Sequence, residues 1–576
     1  MMDAAAVAAR HTPEAIAEEI GIFEQKIGQL ERGEINEDDF RRFRLKHGIY
    51  GQRQPGFQMV RVKCPSGVLP PAALRCLGGI ARDFGTPQRG HVTTRENVQF
   101  HFVKLRNVPE IMRRIALAGL TTREACGNTI RNITACPLAG VCGDEAFDVT
   151  PYALATTRFF LRHPEFHELP RKFKIAFSGC EDDGNCAVAA IHDVGLIARV
   201  RDGKRGFRVL VGGGLGSLPT EAATLTEFLP AEELLPTIEA VLRVFNECGN
   251  RKNKMMARMK FVLRAKGIEE FKRLVAEKRP LCTAPVGEQT WASPFEQPLV
   301  NLDPAPVNLD GAAADYERWS SHNLRPQPQP GYAVAWIKLT SGNVSAEQFY
   351  GLADLLDKLH LPGARIAISQ DLVIPWVPVH LSRALFLGLR ELDLAAPGAL
   401  TIADVTGCPG ATTCNLGITR SLTLSEVLAQ EFAPETDPLV QQIRIKISGC
   451  PNSCGQHHIA DLGLYGNARK VGPKQAPYYQ LMIGGRVNGG AHFGRQLMPI
   501  PARRVPQVFR AVIELYKSQR QPGETFLAWA DRTPDAALVA ALAPHAKAEP
   551  SESDIYMDWG DTETYSLKLG RGECAA

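Results

Sequence analysis

The chain has 576 residues, 44% of them hydrophobic and 22% charged, with a formal net charge of +4. That length spans more than one core, and the charge is too mild to argue for nucleic-acid binding. No apolar run approaches the roughly 18 residues of a membrane span, and the first twenty residues hold Asp3, Glu14, Glu18 and Glu19 in place of an apolar signal core or an Arg-rich transit segment, so a cytoplasmic protein is expected.

Residues 13–32 have the periodicity of an amphipathic helix. The basic stretch Asp38 to His47 and the loop GIYGQRQPG complete a leader, 1–56, expected to lie solvated on the surface. Residues 57–125 read as strand, helix, strand: MVRVKCPSG alternates, PPAALRCLGGIARDFG opens on proline, and HVTTRENVQFHFV returns as a strand. The segment 126–282 is a larger α+β unit that includes a basic helix over 250–267. A Pro-rich connector, 283–330, follows, in which PVGEQTWASPFEQPLVNLDPAPV reads as an ordered crossing. A second strand–helix–strand unit spans 331–398, a second α+β unit 399–545, and a polar, acidic tail 546–576.

The later units repeat the earlier ones. Lys63, Ser66, Gly67, Leu77, Pro87 and Val98 match Lys338, Ser341, Gly342, Leu352, Pro362 and Val373 at a constant offset of 275. ACPLAGVC (135–142) faces GCPGATTC (407–414), and FSGC (177–180) faces ISGC (447–450). The chain is therefore an internal duplication of two halves. GGGLGS (212–217) lacks a clear βαβ setting with an acidic residue downstream, so it is not read as a dinucleotide fingerprint. Its counterpart is GGRVNGG, and both are expected to let backbone approach a large anionic ligand.

Cys408, Cys414, Cys450 and Cys454 are spaced C-x5-C, thirty-five residues, C-x3-C. Four thiolates are the ligand set of a cubane iron–sulfur cluster. Structural zinc prefers shorter knuckles than C-x5-C, and a disulfide framework or unliganded core thiols are the other readings. Gly407, Gly410, Gly449 and Gly455 with Pro409 and Pro451 mark tight turns that aim backbone N–H groups at sulfur.

The run from TGCPGATTCNLG to SGCPNSCGQHH resembles the sulfite and nitrite reductases that contain siroheme and a 4Fe–4S cluster, over roughly residues 40 to 540. The resemblance implies an α+β fold with two ferredoxin-like modules and two siroheme/iron–sulfur-binding modules in pseudo-twofold arrangement. It implies that Cys454 joins the cluster to the siroheme iron, and that sulfite is reduced to sulfide by six electrons, with nitrite to ammonia as the close alternative. Electrons would come from a ferredoxin or a flavoprotein reductase, because no flavin or nicotinamide domain is visible. A non-catalytic iron–sulfur electron-transfer protein is a more distant reading.

By the same resemblance, Arg95, Arg131, Lys172 and Lys174 form the anion-binding, proton-supplying set. A unit charge 4 Å from an anion contributes about 4 kcal/mol at an effective dielectric near 20, and Arg adds a two-donor fork. Their second-half counterparts are Gln370, Ala403, Gln442 and Arg444, so one site has kept its cations and the other has lost most of them. Arg53, Arg61, Lys63, Gln99, His101, Asn132 and Asn452 are candidates for the siroheme carboxylates. Tyr50 and Cys126 match positions of a Tyr–Cys thioether in some members. Cys136, Cys142, Cys180 and Cys186 depart from the usual pattern. They are expected to hold a second iron–sulfur cluster, with an inherited empty thiol set and a zinc site as the alternatives.

Overall fold

The amphipathic helices Pro71–Phe84 and Ala346–Lys358 decide where the halves meet. The first opens on proline. The second opens on a capping box in which Ser345 and Gln348 satisfy each other's backbone N–H groups. Their apolar faces pack together, and a Cβ at Gly78 would stand 3.0 Å from the Tyr350 ring, so glycine sets the closeness of the contact. These helices belong to a computed structural model that describes residues 4–181, 186–292, 295, 307–309, 311–488, 490–570 and 572–573.

Each helix lies on a five-stranded sheet that the other half completes. In the first sheet Ile49–Gly51, Phe57–Lys63, Asn97–Lys104 and Arg89–Val92 are joined at the edge by Asn343–Ser345 from the second half. In the second, Leu324–Pro326, Tyr332–Ile337, Leu372–Pro378 and Ala364–Ile366 are joined by Val68–Leu69 from the first. One hydrophobic core, with Leu77, Val92, Phe349 and Ile366, runs through both.

The larger units also match each other strand for strand. Thr134–Ala135, Ile175–Ser178 and Val194–Arg201 are parallel neighbours, and Lys204–Val211 and Ala223–Pro230 extend the sheet antiparallel. Thr406–Gly407, Ile445–Ser448, Leu462–Val471, Lys474–Ile483 and Arg495–Pro501 do the same in the second half. Each sheet carries its own core.

Four segments differ from the sequence reading. The leader is not a solvated wrap. Pro13–Glu31 buries Ile20, Phe23 and Ile27 in the shared core, and Ile49–Gly51 is a strand. HVTTRENVQFHFV is two strands, because the Thr93 hydroxyl accepts from the N–H groups of Arg95 and Asn97 and closes a turn over 93–96, with Glu96 at φ +51°. The connector ends in a helix, Ala313–Asn323, whose Trp319 is fully buried against Tyr316 and Phe386. Of the crossing segment within it, 293, 294 and 296–306 lie outside the described residues. The basic stretch 250–267 is broken into a short turn, Lys254–Met256, and a helix, Met259–Lys266. Among the described residues no helix is long and apolar enough to cross a membrane.

Candidate active site

The second-half cysteines sit on two loops at the ends of parallel strands. Cys408 follows Thr406–Gly407, and Cys450 and Cys454 follow Ile445–Ser448. The loops cross so tightly that a Cβ on Gly449 would lie 2.6 Å from the Gly410 Cα, and one on Gly455 would lie 2.0 Å from the Ile447 carbonyl oxygen. Glycine is therefore required there for contact, as it is at Gly410 for its φ of +55°. The close crossing turns N–H groups onto sulfur: Gly449 N–H donates to Cys408 Sγ at 3.2 Å, and Asn452 N–H donates to Cys450. Burial, with the Cys454 thiolate beside it, pushes Cys408 up to about 12. Four thiolates of one charge do not share such a pocket without a cationic partner, which fits a metal cluster. Cys414 and Cys454 remain accessible, whereas Cys450 is buried.

The first-half cations arrive from a turn and from the segments that lead into the strands Thr134–Ala135 and Ile175–Ser178. Arg95 stands in the 93–96 turn, where the neighbouring Thr94 hydroxyl donates to the Cys454 carbonyl at 2.9 Å. That bond brings the TTRENV turn of one half onto the thiol motif of the other. Arg95 Nη2 donates to His192 Nε2 at 2.6 Å. Since a guanidinium only donates, His192 is neutral, and its Nδ1–H donates to the Val188 carbonyl. Burial lowers Arg95 to about 10, so it stays charged at neutral pH. Lys172 and Lys174 flank the fully buried Phe173. Burial, then the charges of Arg95, Lys172 and Arg258, hold Lys174 well below the ordinary lysine range. Arg131 is buried with its guanidinium on the Gly127 and Ala125 carbonyls.

The proposed carboxylate holders divide in two. Arg53 is tied to the cluster loop: its N–H donates to the Thr413 carbonyl and its guanidinium to that of Gly417. Lys63 is buried beside Glu124 at 3.8 Å. Asn132 donates to the carbonyls of Cys64, Arg95 and Glu96 and so fixes the Arg95 turn, while its Oδ1 is buried without a protein partner. Arg61 stacks on the Tyr50 ring at 5.2 Å, contacts Cys126 Sγ at 3.5 Å and, with the amide correctly oriented, donates to Gln99. Tyr50 and Cys126 thus meet on one guanidinium. His101 lies with His91 against Pro409, Thr412 and Thr413 of the cluster loop around a cavity of about 40 Å3, room for a water but not for a tetrapyrrole.

Sequence reasoning missed Asp193, Arg258 and His192. The Asp193 carboxylate accepts from the Lys174 N–H and holds the Arg258 guanidinium at 2.8 Å. The duplication carried the signal for this acid: Asp461 accepts from the Arg444 N–H in the same way. Nothing in the broken basic stretch marked Arg258. In the same stretch, Lys260 Nζ donates to the Gly214, Leu215 and Leu218 carbonyls, which ties down the GGGLGS loop. The counterpart of Arg95, Gln370, spends its amide on the Val92 carbonyl and the Gly407 N–H, so the lost cation became a bridge between halves.

Comparison with known proteins gives a consistent picture. A family profile described as the nitrite and sulphite reductase 4Fe-4S domain matches residues 126–281 and 399–533, and one described as the nitrite/sulfite reductase ferredoxin-like half domain matches 50–118. A protein of Mycobacterium tuberculosis named sulfite reductase [ferredoxin] is 30% identical over 531 residues, 86% of this chain and 89% of its own. A ferredoxin–nitrite reductase of Synechococcus elongatus is 29% identical over 80% of this chain and 86% of its own. The solved structure of Mycobacterium tuberculosis NirA protein superposes with a TM-score of 0.75 at 29% identity, covering 88% of this chain and 92% of that one.

Proposed function

The chain belongs to the nitrite and sulphite reductase family, and from that premise we propose that it reduces sulfite to sulfide by six electrons, drawn from a ferredoxin. The observation that supports this reading most directly is the Thr94–Cys454 hydrogen bond, which puts Arg95 beside the cluster loops. Cys408, Cys414, Cys450 and Cys454 would hold a 4Fe–4S cluster, with Cys454 shared with siroheme. Bound together, these groups supply electrons singly to the anion.

The chain's own residues have two tasks. The first is to hold a small oxyanion in a partly dry pocket. Arg95 presents a charged fork, its orientation fixed by His192 on one side and Asn132 behind the turn. Lys172 and Arg258 add positive charge, and Asp193 keeps Arg258 in place. The second task is proton supply, since each oxygen leaves as water. Lys174 fits it: burial, then crowding by Arg95, Lys172 and Arg258, weakens its hold on a proton, so it gives that proton up more readily than an ordinary lysine. The thioether between Tyr50 and Cys126 belongs to the same proposal. Its support is their shared contact with Arg61, and a linked peptide in mass spectra tests it. Cytoplasmic placement is also part of the proposal.

Nitrite uses the same cations, and the Synechococcus relative is named for it. Steady-state kcat/KM for both anions with one reduced ferredoxin separates them. Sulfite is expected to be the better substrate, and a higher value for nitrite overturns the assignment.

A further inference from the structure

Of the basic stretch 250–267, the chemistry above uses only Arg258. The part before it is held in shape by its own side chains. Asn250 Oδ1 accepts from the N–H groups of Lys252 and Asn253, and Asn253 Oδ1 accepts from that of Met255. Arg251 is fastened to the Glu168 carbonyl and to Asn246 Oδ1. The far end is anchored in the site: Arg258 on Asp193, and Lys260 on the carbonyls of the GGGLGS loop. Three peptide units separate Met255 from Arg258, so their Cα atoms are at most about 11 Å apart.

This turn presents apolar side chains framed by positive charge. Met255 is 73% exposed and Met256 38%. Leu218, whose carbonyl accepts from Lys260, is 48% exposed. Residues 250–267 hold seven basic residues and no acidic one. Lys252, Arg264 and Lys266 are exposed, and Lys254 is half-buried. The nearest acids are engaged elsewhere: Glu247 with Lys278, Glu269 with Lys272, Glu270 with Arg273, and Glu168 with Lys46. The positive field of the patch is therefore not cancelled locally. Such a surface fits an acidic protein: the basic rim steers it in, and methionine adapts to its shape.

We propose that this turn is the docking site of the ferredoxin that reduces the enzyme. Electrons then enter on the first half, at the edge of the cation pocket, rather than at the cluster loops of the second. The proposal rests on the reading above that a ferredoxin is the donor. Each docking passes one electron inward and releases an oxidised ferredoxin. Six dockings, with six protons, balance the reduction of sulfite to sulfide and three waters.

Steady-state kinetics of the holoenzyme with two reductants tests it: a reduced plant-type ferredoxin, and the small dye methyl viologen. The double variant Lys252→Glu, Lys254→Glu and the single variant Met255→Glu are each expected to raise KM for ferredoxin by about tenfold. Viologen-driven sulfite reduction should be unchanged in both, which also shows that they fold. Added salt should raise the wild-type KM for ferredoxin and narrow the gap to the double variant. Lys568→Glu, on the tail whose Gly570 N–H bonds to Asn415 of the cluster loop, should alter neither reaction. Wild-type turnover with viologen but not with ferredoxin overturns the docking together with the donor assignment. A normal ferredoxin KM in both patch variants, an equal loss with viologen in both, or a rise in Lys568→Glu instead overturns the docking alone.

Discussion

Lys174 is a lysine placed where its charge is disfavoured, with Arg95, Lys172 and Arg258 around it. In the proposed proton-supplying role the protonated form is the one that acts, so kcat is expected to fall as pH rises through its lowered pKa, on a limb well below 10.5. Lys174→Arg keeps the charge and loses the transferable proton. Its kcat should drop by about 100-fold with little change in KM, and the alkaline limb should vanish from the pH–rate profile. An unchanged limb would assign that titration elsewhere. Lys63 gives a second prediction, for stability. Burial lowers it to about 8, with Glu124 opposing, whereas an unfolded lysine titrates near 10.4. Between those values the unfolded chain binds more protons than the folded one, so stability rises with pH across that window, and the penalty is fully present below about 8. Denaturation midpoints at pH 8 and pH 10 should show this gain, and Lys63→Met should reduce it.

At the scale of elements, the tail has a role that its polar, acidic composition did not announce. It crosses the loop after Cys414. Asp558 accepts from the Arg420 N–H at 2.7 Å, Tyr565 donates to the Ile418 carbonyl, and Gly570 N–H donates to that of Asn415. Glu573 then closes onto Arg44 and the Gly51 N–H, so the last described residue is bound to the leader. The leader grips the same loop from the other side through Arg53 and Gln54. Removing a charge-assisted bond of this kind costs about 1.5 kcal/mol, roughly tenfold in a local opening equilibrium. Glu573→Ala should therefore speed amide hydrogen exchange across residues 415–420 by about that factor, while the remote helix Leu234–Cys248 is unaffected. Equal protection in variant and wild type would remove the strap from the account.

At the scale of the whole molecule, neither half closes its own sheet. Asn343–Ser345 edges the first-half sheet, Val68–Leu69 edges the second, and Phe349 lies against Gly78 and Gly90 of the other half. Residues 1–282 made alone would expose the apolar face of Pro71–Phe84 and leave the outer edge of the strand Arg89–Val92 without a partner. That fragment is expected to aggregate or to lack near-ultraviolet circular dichroism, and to recover both solubility and signal when coexpressed with 283–576. A monomeric, cooperatively unfolding fragment would show that the halves are independent.

The sequence by itself determined the duplication, the pairing of the second-half cysteines on two loops and the loss of cations from one half, because each is written in local spacing: C-x5-C and C-x3-C, K-x-K, and offsets that repeat. Glycine positions such as 410, 449 and 455 were legible for the same reason, since a tight turn leaves its mark on the residue that makes it. What joins the halves left no such mark. The exchanged edge strands are two and three residues long, the Thr94–Cys454 bond spans 360 positions, and Arg258 finds Asp193 through a break in what reads as one helix. Only the tertiary structure decided these, because backbone pairing and buried charge depend on what arrives from elsewhere in the chain.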